Sequence, residues 1–232
     1  MKRLAVLVLM VSAALGAPLD ASAFPNTYQG RLEVSGLVRR LNSELLSEGS
    51  ATETLRRWCE ARQLAASPRI VARRITTIRK PADAGVRAIL AAAPAEPVSY
   101  RRVELACGRR ILSSADNWYR SSRLTDAMNR QLAETTTPFG LVVRPLRLHR
   151  RTLEDSVLFD PLAGVGPSST RPTGRRGALP LPAEILRLRA VLATSNGTPI
   201  SLVVETYRRA ALAGPVGRVA HAAGVGTPST QR

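Results

Sequence analysis

The sequence predicts a single domain in which amphipathic helices pack on a common β-sheet, and three observations carry that expectation. Apolar residues recur at helical spacing in two stretches near the amino end. Further on, short runs rich in β-branched and alternating residues are separated by Gly, Pro and an Asn-Gly pair. A chain of 232 residues is long enough for one core with tails.

In chain order, Met1-Lys2-Arg3 is a cationic end, 4–17 an apolar run, and Ala21-Ser22-Ala23 a small-residue site before Phe24. This is the three-part form of a secretory signal peptide, so residues 1–23 are expected to direct export to the periplasm or outside. The run is shorter than the roughly 20 residues that span a bilayer, and no transmembrane segment is expected after cleavage. Export permits disulfides. Cys59 and Cys107 can form one bridge or remain two buried thiols, and their spacing leaves both open. With only His149 and His221 beside them they form no metal-ligand cluster.

Residues 24–35 read as an N-terminal loop, and 36–47 as a helix carrying Leu37, Val38, Leu41, Leu45 and Leu46. Gly49-Ser50 breaks it, and Ser50 or Thr52 can cap a second helix with Leu55, Trp58 and Cys59 on one face. A strand follows over 70–78, then a Pro- and Ala-rich loop over 80–97 with room for one helical turn. Over 98–107 a strand places Arg102, Glu104 and Ala106 on one face and Val103, Leu105 and Cys107 on the other. Gly108-Arg109 turns the chain into a strand over 111–119, and Thr125 can cap a helix that buries Met128 and Leu132. Pro138 ends that helix; 141–148 reads as a strand whose Pro145 puts it at an edge or bulge. Residues 159–182, crowded with Gly, Pro, Ser and Arg, read as a mobile loop. Two strands over 185–194 and 200–207 are joined through Asn196-Gly197, which tolerates the positive φ of a tight hairpin turn. The tail 213–232 is expected to be disordered.

The formal charge of +17 comes almost wholly from arginines, since Lys2 and Lys80 are the only lysines. These arginines are scattered, aromatics make up 4% of the chain, and no nucleic-acid-binding motif is present, so solvated arginine-rich faces and no nucleic-acid partner are expected. The stretch 101–140 differs. It combines a strand arginine, a Pro-Phe-Gly turn with backbone N–H groups and few competing charges, which suits a small anion.

Arg102-Val103-Glu104-Leu105-Ala106-Cys107, Ala115, the helix after Leu124, Thr137-Pro138-Phe139-Gly140 and Glu205 follow one another in the order found in the chorismate pyruvate-lyase family, which the sequence resembles over residues 36–212. The resemblance implies an α+β single domain with a largely antiparallel β-sheet flanked by helices, chorismate lyase-like, around a ligand cavity. The UTRA ligand-binding domain of regulators shares that fold. In the lyases chorismate is split without a cofactor into 4-hydroxybenzoate and pyruvate. Carried onto this chain, the resemblance makes Arg102 the carboxylate-binding arginine, Phe139 a residue whose main chain meets the ligand, and Glu205 the catalytic acid. Asn117 stands where the lyases keep a second ligand-binding arginine, which weakens dicarboxylate capture. Two functions are therefore expected: a cofactor-free chorismate lyase, or a non-catalytic exported binder of an aromatic acid. In either case the partner is a small aromatic carboxylate and the protein a monomer.

Overall fold

The computed structural model describes residues 24–163 and 177–214, and in it the alternating runs assemble into one antiparallel sheet of six strands. In chain order these are β1 (Ile70–Arg74), β2 (Ser99–Cys107), β3 (Arg110–Tyr119), β4 (His149–Val157), β5 (Glu184–Ala193) and β6 (Pro199–Arg208). Across the sheet they run β1-β2-β3-β6-β5-β4, so the hairpins β2–β3 and β5–β6 meet along a central β3–β6 seam. The helices are α1 (Tyr28–Ser47), α2 (Ala51–Ala61), α3 (Ala84–Ile89), α4 (Asp126–Glu134) and α5 (Phe139–Val142). This is the α+β single domain expected from the sequence.

Local chemistry explains most of the boundaries. Gly197 takes φ 83° in the β5–β6 turn, as an Asn-Gly hairpin requires. The hydroxyl of Thr194 there accepts the Thr198 N–H at 3.1 Å. Ser50 caps α2 by accepting the Glu53 N–H at 3.3 Å, and Thr125 caps α4 by accepting that of Met128 at 3.2 Å. Of the two residues expected to be buried by α4, Leu132 is buried and Met128 half-buried.

One apolar stripe of α1 (Val34, Val38, Leu41, Leu45) and the Leu55–Trp58 face of α2 cover one face of the sheet, called here the inner face. Trp58 is fixed there by its indole N–H, which donates to the Ala211 carbonyl at 2.8 Å. Cys59 and Cys107 form a disulfide joining the end of α2 to the end of β2, so of the two alternatives the bridge is realised. On the outer face the short helix α3 sets Val86 and Leu90 against Trp118 and Leu202.

Three expectations need correction. The segment read as an N-terminal loop over 24–35 is largely helix, because Thr27 accepts the Gly30 N–H at 3.1 Å and starts α1 well before Gly36. The strand expected over 141–148 is α5 followed by a 3-10 turn at Arg144–Leu146: Pro145 suits the first turn of a helix, where its missing N–H is not needed. The strand next to it is β4, which the sequence reading did not assign. Its polar run HRRTLEDSV shows no apolar face because it lies at the sheet edge.

Most of the expected mobile loop, and nearly all of the expected tail, lies outside the described residues, as does the signal-peptide segment. At the near ends, Phe24 pairs with Leu179, whose N–H donates to the Phe24 carbonyl at 2.7 Å, and Ala213 is buried in the core. No helix among the described residues is long and apolar enough to cross a membrane.

The loop before β2 is fastened to the end of β3 by Arg120, whose Nε and Nη2 donate to both oxygens of Glu96 at 2.8 and 2.9 Å. These bonds, with one from Ser122, bring the Glu96 carboxyl down from 4.5 to about 2. A carboxyl held low in the folded state contributes stability that is complete above its unfolded value and lost as pH falls through its folded one. Urea midpoints should therefore decline from about pH 4.5 towards 2, and Glu96→Gln should flatten that decline.

Candidate ligand-binding site

Along β2, β3 and β6 the pleat sends alternate side chains to the inner face, and the register brings a polar group together there. Arg101 of β2 lies opposite Asn117 of β3, and Glu205 of β6 lies opposite Ala115. Beneath the start of α2 and beside α5 these strands floor a cavity of about 480 Å³, within the usual range for small-molecule sites. Short side chains at Ala115, Asn117 and Ser201 leave the space that leucines fill elsewhere on this face. Gly140 lets α5 close the wall: a Cβ there would sit 3.3 Å from the hydroxyls of both Ser50 and Thr52.

Arg102, expected to bind the carboxylate, is not in this cavity. It points to the outer face, where its Nη1 donates to Asp116 Oδ1 at 2.7 Å. The same carboxylate accepts from Lys80 Nζ at 2.6 Å and Tyr100 Oη at 2.5 Å. Burial opposes the charge on Asp116, but these three donors together hold its carboxyl below the ordinary 3.8. Burial and then Asp116 push the Tyr100 hydroxyl up to about 12. Arg102 is thus a structural clamp, and the reason is parity: one residue along a strand exchanges the faces.

The β2 arginine that enters the cavity is its neighbour Arg101, 6% exposed. Its Nη2 donates to the carbonyls of Thr137 at 3.2 Å and Thr135 at 3.5 Å, while Nε and Nη1 have no hydrogen-bond partner. Burial pushes its pKa below the ordinary arginine value, because desolvation disfavours the charged form. The sequence did contain a signal for this residue, since Arg101 shares the parity of Val103 and Leu105.

Glu205 does face inward and is 5% exposed. Its Oε2 accepts from Arg150 Nη2 at 2.6 Å and from the Tyr207 hydroxyl at 3.1 Å. Burial opposes the charge on Arg150, but Glu205 outweighs it and the pKa is raised. Burial first, then Glu205, keeps the Tyr207 hydroxyl well above 10 and so protonated. Glu205 is therefore the acceptor in a buried ion pair with Arg150. Arg150 was missed because it comes from β4.

Asn117 lines the cavity as expected, and its Oδ1 accepts from Ser201 Oγ at 2.5 Å. Phe139 also lines it as the first residue of α5, its ring 5.4 Å from that of Tyr119. The structure thus unites Asn117, Phe139 and Glu205, and replaces Arg102 by Arg101. Chemically the site offers two buried guanidiniums with unpartnered N–H groups, Arg101 and the Arg150 that is paired to Glu205, together with an amide and an apolar wall. Among the described residues no group of three His, Cys, Asp or Glu could hold a metal ion.

No family model matches the chain. Among solved structures, PhnF from Mycobacterium smegmatis matches with 16% identity and a TM-score of 0.43, over 71% of this chain and 65% of that one. YydK, a possible transcriptional regulator from Bacillus subtilis, matches with 16% identity and a TM-score of 0.38, over 60% of this chain and 57% of its own length. The chain therefore spans little more than half of YydK. The uncharacterized protein y4mC of Sinorhizobium fredii is 42% identical over 213 residues, which cover 88% of this chain and 90% of the relative. At that identity and coverage, the chain belongs to the same family as y4mC.

Proposed function

We propose that the protein is an exported, non-catalytic binder of small organic acids, in which Arg101 seats the carboxylate of an aromatic ligand. The observation that carries this reading is the pair of unpartnered donors on a guanidinium only 6% exposed. A buried charge with unmet donors is costly, and a carboxylate meets two guanidinium N–H groups with matching geometry. Phe139 and the apolar wall suit an aromatic ring beyond it. Export is supported by the signal-like residues 1–23 and by the Cys59–Cys107 bridge, since such bridges persist in oxidising compartments.

Binding is favoured over chorismate lysis because elimination of pyruvate needs an acid at the leaving oxygen, and Glu205 is committed to Arg150 and Tyr207. The test is a thermal-shift and calorimetry panel of benzoate, hydroxybenzoates and short aliphatic carboxylates, with chorismate assayed in parallel. A ligand at a hundred times its Kd stabilises by about 2.7 kcal/mol, or roughly 5–11 °C for a domain this size. If no carboxylate raises Tm, the binding reading fails. Pyruvate released from chorismate above the spontaneous rate would reinstate the lyase.

A further inference from the structure

Between Glu60 and Asp83 the chain carries Arg62, Arg69, Arg73, Arg74, Arg79 and Lys80 and not one carboxylate. The two acids that bound this run are committed, Glu60 to Arg56 and Asp83 to the cap of α3. The fold lays the run along one side of the molecule, because β1 is an edge strand of the sheet. Pairing of Ile70 with Cys107 sets the β2–β3 turn beside it, and there Arg73 Nη2 donates to the Gly108 carbonyl at 3.0 Å. That turn adds a further exposed arginine, Arg109.

Arg62 and Lys80 are occupied, the first by the Leu212 and Ala213 carbonyls and the second by Asp116. Arg69, Arg73, Arg74, Arg79 and Arg109 are all exposed, and among the described residues none of them pairs with a carboxylate. Glu104, opposite Arg73 across β1–β2, pairs with Arg208 at 3.0 Å. On α1, α2 and β5 the surface is built differently, for Arg39, Arg40, Arg56, Arg57, Arg187 and Arg189 each face a carboxylate.

Guanidiniums gathered without counter-charge repel one another, and each alone holds a small anion weakly, since water and salt screen it. A partner that presents many anions side by side relieves both. From Arg69 to Arg74 the strand extends about 17 Å, and the planar fork of each arginine suits phosphate oxygens. One feature chooses among polyanions. Ile78 is 39% exposed in the segment that follows β1, directly before Arg79. A soluble polyphosphate offers that side chain nothing, whereas the interfacial layer of a bilayer takes apolar and cationic groups together.

We infer that the β1 edge, with the segment after it and the β2–β3 turn, is a docking surface for an anionic bilayer. The five unpaired arginines meet lipid phosphates and Ile78 enters the headgroup layer. None of these residues lines the cavity, so the inference is independent of the ligand proposed above.

The test is co-sedimentation of the protein without residues 1–23, which contains every described residue, with two kinds of vesicle. One is phosphatidylcholine alone and the other phosphatidylcholine mixed equally with phosphatidylglycerol. Binding is expected to the mixed vesicles and not to the neutral ones. An arginine at an anionic leaflet is worth about fivefold, so Arg73→Gln, Arg79→Gln and Arg109→Gln together should weaken binding roughly a hundredfold. Arg39→Gln, Arg151→Gln and Arg187→Gln together remove the same charge elsewhere and should change it less than about fivefold. Ile78→Ser should weaken vesicle binding about tenfold and leave binding of soluble polyphosphate unchanged. The inference is overturned by no binding to the mixed vesicles or by equal losses in the two triple variants. It is overturned equally by an Ile78→Ser protein that binds vesicles as well as the unaltered one, which would reassign the edge to a soluble polyanion.

Discussion

Replacing Arg101 by methionine is expected to abolish carboxylate binding while leaving the protein as stable as before, or more stable by about 1–3 kcal/mol. The two effects have one origin. In the free protein the guanidinium is held away from water, with two long hydrogen bonds to Thr135 and Thr137 and two donors unmet. Methionine follows the same path along the strand without a charge to desolvate. A chemical-denaturation midpoint that stays level or rises, together with loss of all ligand-induced Tm shift, would mark Arg101 as retained for binding. A large fall in midpoint would instead make it a structural residue and remove the main support for the proposed function. Arg102→Met is the control. It strips Asp116 of one of its three donors, so it should lower stability while ligand binding persists.

Loss of the Cys59–Cys107 bridge should produce the largest stability change of any substitution considered. The cysteines are 48 residues apart, and closing a loop of that length removes about 4 kcal/mol of conformational entropy from the unfolded chain. For a domain of this size that corresponds to a Tm roughly 8–16 °C lower. The double variant Cys59→Ser, Cys107→Ser should show this drop in oxidising buffer, and the unaltered protein should show it once reduced. Thiol titration of the denatured, unreduced protein should find neither cysteine free. Finding both free would overturn the bridge. The bridge also bears on the site, because the beginning of α2 walls the cavity and β2 carries Arg101.

The elements that were legible in the sequence are those whose signal is local. Asn196-Gly197 fixes a hairpin, Thr125 and Ser50 cap helices, and the Val103-Leu105-Cys107 alternation gives the facing of β2. The failures have two sources. Strand β4 and the turns after Pro138 depend on neighbours that no short window contains, since β4 owes its existence to pairing with β5. The choice between Arg101 and Arg102 failed differently. Motif resemblance matched a residue type, but the pleat allows only one of two adjacent arginines to enter the cavity, and the alternation of Val103 and Leu105 already pointed to Arg101. The Arg150–Glu205 pair was out of reach because it joins strands 55 positions apart in sequence.

The small bridge at the edge of the core, where Phe24 and Asn26 meet Leu179 and Gly177, constrains the order in which the molecule can be completed. Its two sides are separated by about 150 residues, and contacts of such long range carry a large loop-closure cost that earlier structure must first reduce. Synthesis delivers Phe24 first, yet its place against Leu179 exists only after the greater part of the sheet has been made. The pairing of the first described residues with 177–179 thus requires the chain to be made at least that far. A chain cut short before Leu179 would leave the Phe24 carbonyl without that N–H donor.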